Sequence, residues 1–281
     1  EKLSLAQSIL RQYDQEDIEF DFARFEQDLR GNRKSVRKKK EVSLQEYYQS
    51  LISELEVQQK VGLQNVYQDN KSMLHKFRPQ ALLADVNVKF LEAFESWLRY
   101  ERSNKDTTIS VKLRNLQRVI NLAIADNLFK PEDYPFGEKK YSVNKRLNHK
   151  TRKRSISVNI ISKIKNLQFE KGSAQQLSRD IFLFSFYTRG MNFIDIAGLK
   201  WRDVVDNEIH YKRKKTGQLF EIPINHHTKA ILDFYKMHNS NHGNYIFPIY
   251  NDLIHKTEKQ KYTRKKTGIK KINDNLKAIA K

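Results

Sequence analysis

Cysteine is absent from the 281 residues of the sequence, and so are long apolar runs. The first absence excludes disulfide frameworks and thiolate metal sites, and it fits an intracellular protein. The longest strongly apolar stretch, Ile181 to Tyr187, is far shorter than the roughly 20 residues that a membrane-spanning helix requires. No signal-peptide pattern opens the chain, so we expect a cytoplasmic protein with no membrane partner. Because the first residue is Glu1 and not methionine, we expect further residues in front of it.

Acidic residues are also scarce, at 33 against 53 Lys and Arg, which gives a formal charge of +20. Such self-repulsion is tolerated most easily when phosphates neutralise it, so an extended polyanion, and first of all a nucleic acid, is the expected partner. The hydrophobic content of 38%, with 16 Phe and 13 Tyr, suffices for two apolar cores. The composition therefore predicts a globular, nucleic-acid-binding protein of two domains.

The first predicted domain is a helical bundle over residues 43–136. Ser43 is the expected N-cap of its first helix, and further amphipathic helices are predicted near 63–77, 87–102 and 107–127. On the last helix four polar side chains lie away from the apolar stripe and could follow a DNA backbone: Lys112, Arg114, Asn115 and Arg118. The alternative is an ordinary solvated face.

Basic segments flank this bundle on both sides. Residues 1–42 are predicted to hold one or two helices and then a run of bases at 33–40, which is either a solvated linker or a phosphate-tracking arm. Residues 137–154 are predicted to be the interdomain linker, since prolines and a charge run interrupt the helical periodicity. Its candidate DNA contacts are Lys145, Arg146, Arg152, Lys153 and Arg154, with a purely solubilising linker as the alternative.

The second predicted domain covers residues 155–281. A buried helix near 174–187 delivers Thr188, Arg189 and Gly190 to a cleft. A short helix at 193–199 carries Asp195, and strands near 209–213 and 219–224 form a β-hairpin with a basic tip. A helix at 226–238, a basic loop at 256–271 that contains Tyr262, and a last helix at 269–280 complete the domain.

At these residues the sequence resembles the tyrosine recombinase (phage integrase) family, in the branch carried by bacterial mobile elements. The resemblance rests on T-R-G-M-N-F-I-D-I-A-G-L-K-W, Y-K-R-K-K-T-G and I-P-I, and it extends from about Ser43 to the end. It implies a mainly α fold with a small antiparallel β-sheet: an N-terminal SAM-like core-binding bundle, followed by an α+β catalytic domain that is incomplete here.

The resemblance also implies a chemistry and its partners. A tyrosine attacks the scissile phosphate and forms a 3′-phosphotyrosyl link, which a freed 5′-hydroxyl later reverses. Arginines stabilise the transition-state charge and a hairpin lysine protonates the leaving oxygen, without metal or cofactor. Double-stranded DNA and a homo-oligomer, a tetrameric synapse, are the implied partners, in a bacterial, nucleoid-associated protein that integrates or recombines DNA.

Four residues are candidates for this chemistry. Lys215 matches the hairpin lysine, although a solvated turn lysine is the alternative, and Asp195 matches the acidic residue expected to support the arginine turn. Asn192, however, stands where the family has its first arginine. Either Arg189 or Arg213 would have to replace it. Strand alternation favours Arg213, because it would place Arg213 and Lys215 on one face.

The later signature of the family, His/Lys-x-x-Arg and then the nucleophilic tyrosine, has no match. Tyr250 and Tyr262 lack the surrounding pattern, so we assign no nucleophile and expect a fragment of a recombinase. Two alternatives remain open: a DNA-binding accessory protein that does not cut DNA, and an RNA-binding protein that stacks bases on aromatic side chains.

Overall fold

The computed structural model describes residues 2–15, 20–30, 41–148, 155–238 and 243–280. The predicted basic segment at 33–40 lies outside these ranges. So do the linker residues 149–154, and with them three of the candidate DNA contacts, Arg152, Lys153 and Arg154.

The described part of the chain is mainly helical and carries one three-stranded antiparallel sheet, which confirms the predicted fold class. The helices are α1 (Lys2–Gln15), α2 (Phe22–Leu29), α3 (Leu44–Val57), α4 (Val61–Phe77), α5 (Val88–Ser96), α6 (Asp106–Ala125), α7 (Val143–Arg146), α8 (Val158–Asn166), α9 (Ala174–Tyr187), α10 (Phe193–Gly198), α11 (His226–His238) and α12 (Glu258–Ile279). The strands are β1 (Val204–Val205), β2 (Glu208–Lys212) and β3 (Leu219–Pro223), in the order β1-β2-β3.

Helices α3 to α6 surround the first core, as the periodicity predicts. Ser43 caps α3 by accepting a hydrogen bond from the backbone N–H of Gln45 at 3.2 Å, and the apolar stripe of α3 is buried. A network of polar side chains crosses this core: the Tyr48 hydroxyl donates to Asn115 at 2.9 Å and accepts from Asn70 at 2.8 Å. Because a buried polar group without a partner is costly, this network favours one packing of α3, α4 and α6.

The described part of the predicted linker, residues 137–148, is folded. Tyr141, Val143 and Leu147 are buried in the first core, and α7 begins at Val143 and ends just before Leu147. The Tyr141 hydroxyl donates to Glu95 at 2.6 Å, and Arg146 Nε donates to the same carboxylate at 3.1 Å. The prediction that the interdomain linker begins at residue 137 is therefore wrong for residues 137–148, because three buried apolar side chains attach this segment to the bundle.

Glu95 gives this docking a testable pH dependence. Its burial acts to raise its pKa, but hydrogen bonds from Tyr141, Arg99 and Arg146 outweigh burial and lower the pKa below its usual 4.5. A depressed carboxylate pKa adds stability above the unfolded-state value, and this stability is lost as the pH falls through the folded-state value.

We therefore expect Glu95→Gln to lower the free energy of unfolding at neutral pH by on the order of 1–3 kcal/mol. The gap from wild type should shrink on acidification from pH 7 towards about pH 3, because the stability that the lowered pKa supplies is lost as the pH falls through the folded-state value. Urea denaturation at both pH values checks this. A gap that stays constant with pH would show that the charge of Glu95 does not matter.

The second core lies between α9, α11, α12 and the sheet. Phe184 of α9 packs edge-on against Phe247 with ring centroids 4.9 Å apart, and Ile209 of β2 is paired with Ile222 of β3. The predicted helices α9 and α11 and the predicted hairpin are confirmed, whereas the two-residue strand β1 was not foreseen. This core fixes both the end of α9 and the base of the hairpin.

Residues 256–271 do not form the predicted basic loop. The Thr257 hydroxyl accepts from the backbone N–H of Gln260 and the Gln260 side chain accepts from that of Thr257, so a capping box starts the 22-residue helix α12. Ile272 anchors α12 in the second core. The ring of Tyr262, also on α12, lies next to Gly62 at the start of α4. None of the described helices is long and apolar enough to cross a membrane.

Candidate active site and nucleic-acid interface

The basic hairpin has a tightly closed tip. The backbone N–H of Arg213 donates to Gln218 at 2.8 Å, and that of Gly217 donates back to Arg213 at 2.8 Å. Gly217 has a φ of 73°, which only glycine adopts without strain. The loop that remains, 214–217, presents Lys215 as an exposed side chain.

Asp195 fixes this tip from below. Its side chain is buried, and Oδ1 accepts a hydrogen bond from the backbone N–H of Lys214 at 3.0 Å. Burial raises the pKa of Tyr211, and the negative charge of Asp195 raises it further. The positive charge of Arg213 acts to lower the same pKa. Asp195, Tyr211 and Arg213 are therefore electrostatic neighbours. Asp195 was predicted to support the arginine turn, but the hydrogen bond that its side chain makes is to the hairpin.

The strand alternation that favoured Arg213 does not extend to Arg213 and Lys215. Strand β2 ends at Lys212, and the loop interrupts the alternation that was to place Arg213 and Lys215 on one face. Arg213 still lies within the same short hairpin, half-buried directly beside the residue that Asp195 binds.

Arg189 has an unusual backbone. Its φ is 58°, a left-handed value, and Gly190 follows with a φ of 81°. Hydrogen bonds lock this turn: Gly190 N–H donates to Ser185 at 2.8 Å, and the Ser185 hydroxyl donates to the carbonyl of Met191 at 2.8 Å. A strained non-glycine residue that its surroundings hold in place is typical of functional sites, and Arg189 is exposed.

We expect this strain to be measurable. Because a left-handed conformation costs a residue with a Cβ about 1–2 kcal/mol, Arg189→Gly should be more stable than Arg189→Ala by about 1 kcal/mol after the entropy of the unfolded glycine is subtracted. Thermal or urea denaturation of the two variants provides the comparison. If the alanine variant is as stable as the glycine variant, the turn carries no strain for function to exploit.

The DNA-contact predictions on α6 divide into two groups. Arg114 and Arg118 are exposed, as expected, with Arg118 Nε donating to the Tyr67 hydroxyl at 3.0 Å. Lys112 and Asn115, in contrast, are buried: Lys112 forms an ion pair with Asp69, and Asn115 accepts from Tyr48. Their placement on an exposed face is wrong, because the helix buries a wider stripe than its apolar residues alone indicate.

The linker candidates in the described part are partly occupied by acids. Arg146 pairs with Glu92 at 3.0 Å and with Glu95 at 3.1 Å, and Lys145 lies 3.7 Å from Glu138. Arg146 therefore stabilises the first domain, and it would have to leave these carboxylates to bind a phosphate. Lys145 and its acidic neighbour are both exposed, so a pair of this kind contributes little and leaves the lysine available.

Sequence reasoning missed a basic cleft between the two halves of the chain. Lys214, Lys215, Lys261 and Lys265 line it together with Tyr262. Burial lowers the pKa of Lys265, and the charges of Lys214 and Lys266 lower it further. The capping pattern of Thr257 and Gln260 was the available signal for three of these residues, since it predicts a helix that carries Lys261, Tyr262 and Lys265.

Neither tyrosine considered as a nucleophile gains support. Tyr250 is buried, and burial first, then the charge of Glu258, raises its pKa to about 12. Tyr262 lies on α12 with Lys265 4.4 Å from its ring centroid, in contact with α4. Within the described ranges, no group of three or more His, Asp or Glu side chains is placed to hold a metal ion.

Comparison with known proteins agrees with the fold and the resemblance. The phage integrase SAM-like domain family matches residues 43–143, and no curated protein matches the sequence. Among solved structures, a lambda integrase tetramer bound to a Holliday junction is 18% identical with a TM-score of 0.53, and the match covers 80% of this chain and 66% of that one.

Two further structures extend the likeness. A lambda integrase dimer bound to a COC′ core site is 16% identical (TM-score 0.54; 93% of this chain, 72% of that one). The Tn1549 transposon integrase in complex with a circular intermediate DNA is 14% identical (TM-score 0.53; 73% and 68%). The chain spans just under two thirds of the tetramer's protein chain. The resemblance is thus confirmed at the level of one domain and of the fold: residues 43–143 match the phage integrase SAM-like domain family, and the chain has the fold of the lambda and Tn1549 integrases.

Proposed function

We propose that this chain belongs to a site-specific DNA recombinase of a mobile genetic element, which breaks and rejoins strands through a 3′-phosphotyrosyl intermediate. One observation carries the proposal. Within an integrase fold, the buried Asp195 carboxylate accepts a hydrogen bond from the backbone N–H of Lys214 at 3.0 Å, and this bond fixes the hairpin that presents Lys215. A preorganised cation of this kind is what phosphoryl transfer requires.

The proposed step conserves the energy of the phosphodiester bond. A tyrosine hydroxyl gives its proton to solvent and its oxygen bonds to phosphorus, while the bond from phosphorus to the 5′-oxygen breaks. The Lys215 ammonium gives its proton to that oxygen, and Arg213 or Arg189 binds the non-bridging oxygens. Attack by the 5′-hydroxyl of a partner strand reverses these events. The nucleophile is not assigned among these 281 residues.

Double-stranded DNA is the proposed substrate and partner. Three observations support it: the charge of +20, the exposed Arg114 and Arg118 on the first half, and the lysines of α12 on the second. The integrases of similar fold were solved on DNA, one as a tetramer. By analogy, we propose that this chain also assembles as a homo-oligomer on DNA, in the bacterial cytoplasm close to the nucleoid.

Binding of duplex DNA against single-stranded RNA tests the substrate class. Fluorescence anisotropy with a duplex of about 30 base pairs and an RNA of equal charge should give at least a tenfold preference for the duplex, because rigid phosphate spacing suits a clamp. Tighter binding of the RNA would overturn the proposal and favour base stacking on the aromatic side chains.

A DNA-binding accessory protein that does not cut DNA is the second candidate. Asn192 in place of the expected arginine and the burial of Tyr250 favour it. The two candidates differ in one product, a covalent protein–DNA adduct that survives boiling in detergent and disappears with protease. Its formation on a nicked substrate, by a protein that contains this chain, would exclude the accessory role.

A further inference from the structure

Helices α1 and α2 form a small antiparallel unit, which we call the acidic α-hairpin. The Tyr13 hydroxyl of α1 donates to Asp28 of α2 at 2.6 Å, and the Tyr13 ring packs edge-on against Phe25 with centroids 6.5 Å apart. Tyr13 is buried, yet among the described residues no side chain of α1 or α2 belongs to either of the two cores. The acidic α-hairpin is therefore held together by its own side chains and not as part of either core.

This unit is acidic in a strongly basic chain, and it exposes aromatic side chains. Residues 1–30 hold eight of the 33 Asp and Glu but only four of the 53 Lys and Arg. Phe20 and Phe22 are exposed on either side of Asp21, which caps α2 by accepting a hydrogen bond from the backbone N–H of Ala23 at 3.1 Å. Because its net charge is negative, this surface repels DNA and fits a protein surface of opposite charge.

A groove of about 390 Å³ between α9, α11 and α12 has the complementary chemistry. Its floor is apolar and includes Leu177, Phe234, Ile249 and Ile272, and no Asp or Glu of the described ranges lines it. The volume lies in the range of about 300–1,000 Å³ that is usual for binding pockets. The groove shares no lining residue with the basic cleft that contains Lys215, so it is a separate surface.

Arg264 at the edge of this groove is prepared for a carboxylate. Its Nε donates to the backbone carbonyl of Ile249 at 2.8 Å, which fixes the guanidinium, and its two terminal nitrogens have no partner among the residues that the structure describes. Lys271, one of the other lining residues, is exposed. Since charge-assisted hydrogen bonds from a guanidinium to a carboxylate are strong, the groove fits an aromatic ring with a carboxylate beside it.

We propose that this groove receives Phe20 and Phe22 of the acidic α-hairpin of a second copy of the chain, with the carboxylates of that unit at Arg264 and Lys271. The same chain does not fill its own groove, because Phe20 and Phe22 are exposed and the groove is open. Pairing of two acidic α-hairpins is disfavoured, because both carry a net negative charge.

The contact joins two different surfaces and therefore links copies head to tail. Such contacts close into rings where the rotation between copies permits it. The inference deepens the proposed function, since it names a surface for the proposed homo-oligomer, and it requires no DNA.

Sedimentation of the protein without DNA tests the contact. Phe22→Ser removes the aromatic anchor and Arg264→Gln removes the guanidinium, so each should weaken self-association by at least about tenfold. Lys271→Glu, at an exposed position, should have the same effect and does not depend on how Arg264 contributes to folding. The matched control is Val57→Ser, which removes another exposed apolar side chain at the end of α3 and should associate like the wild type.

A cross-link between copies shows which surfaces meet, and the absence of cysteine gives a clean background. A copy with Ala23→Cys, next to Phe22, should be joined by a short bismaleimide to a copy with His238→Cys at the groove. It should not be joined to a copy with Gln49→Cys, an exposed position on α3. Preferential linking of two Ala23→Cys copies would show that the acidic α-hairpins pair with each other, which overturns the proposal.

Binding of a DNA duplex is measured on the same proteins, so that this contact and the proposed function can fail separately. If the wild type stays monomeric up to about 100 µM, the contact is refuted even where the duplex binds tightly. It is refuted equally if Phe22→Ser and Lys271→Glu associate as the wild type does. If association follows the expected pattern but no duplex binds, the proposed function fails and the contact between copies stands.

Discussion

The affinity of the chain for duplex DNA is expected to fall by on the order of 10³-fold between about 50 and 200 mM salt. A protein that neutralises six to ten phosphates releases as many counterions, and this release gives such a loss. The basic groups that would make these contacts lie on both halves of the chain, on α6 and on α12, and not on one patch. Anisotropy titrations at several salt concentrations should give a log–log slope steeper than about −3.

Two basic residues of α6, one exposed and one buried, provide a matched pair for this measurement. Arg118 is exposed, and its loss in Arg118→Gln should make the slope shallower by about one. Lys112 is buried in an ion pair with Asp69, so Lys112→Gln should lower the free energy of unfolding by on the order of 1–3 kcal/mol and leave the slope unchanged.

The outcome separates two views of the basic surface. If Lys112→Gln flattens the slope as much as Arg118→Gln does, the ion pair opens on DNA, and the buried lysine contacts phosphate after all. If the wild-type slope is shallower than about −3, the chain does not clamp several phosphates, and the charge of +20 has some other role.

The helices that the sequence predicts well are those whose apolar residues follow one period and whose ends carry clear signals. Helix α3, with Ser43 as its cap, and helix α9, capped by Ser173 through Gln176 N–H at 3.2 Å, belong to this group. In both, local preference and tertiary packing agree. The core positions Leu51 and Phe184 then follow from the stripe itself.

The secondary structure was predicted wrongly in two segments whose many basic residues suggest an unstructured chain. Eight bases within 256–271 suggest a loop, yet a capping box and Ile272 suffice to fold them into α12. In residues 137–148 the bases conceal Tyr141 and Leu147, which the first core buries. Both segments are basic on the outside and anchored by few apolar side chains, which a count of charges does not weigh.

The candidate site could be predicted as a set of residue types but not as a geometry. The motif locates Lys215 and Asp195, but only the fold shows that Asp195 binds the backbone of Lys214. The left-handed φ of 58° at Arg189 has no sequence signal, because arginine is not a residue that favours it. Contacts between α4 and α12 join segments about 200 positions apart, which periodicity cannot reveal.

Substitutions at the proposed site should have the largest catalytic effects, measured as strand cleavage by a DNA-cleaving protein that contains this chain. Lys215→Ala should lower the rate by on the order of 10²-fold or more, because the leaving 5′-oxygen loses its proton donor. Arg213→Ala should cause a similar loss if its guanidinium stabilises the charge on the phosphate. Duplex affinity should change little in either variant.

A substrate with a 5′-bridging phosphorothiolate distinguishes these two roles, because its sulfur leaves without a proton. It should restore cleavage to Lys215→Ala and leave Arg213→Ala inactive. If Arg213→Ala cleaves normally and a folded Arg189→Ala does not, the strained turn supplies the catalytic arginine. If neither arginine matters, neither binds the reacting phosphate, and other residues stabilise it.

Asp195 completes the test, because it acts through the hairpin and not on the phosphate. Asp195→Asn keeps an oxygen that can accept from Lys214 N–H, so it should retain most of the cleavage rate, whereas Asp195→Ala releases the tip and should approach the loss seen in Lys215→Ala. Since the role is to place the proton donor, the phosphorothiolate substrate should rescue Asp195→Ala as it rescues Lys215→Ala. If a folded Asp195→Ala protein is not rescued, the carboxylate also positions an arginine. That arginine would be Arg213, because Asp195 and Arg213 both act electrostatically on Tyr211.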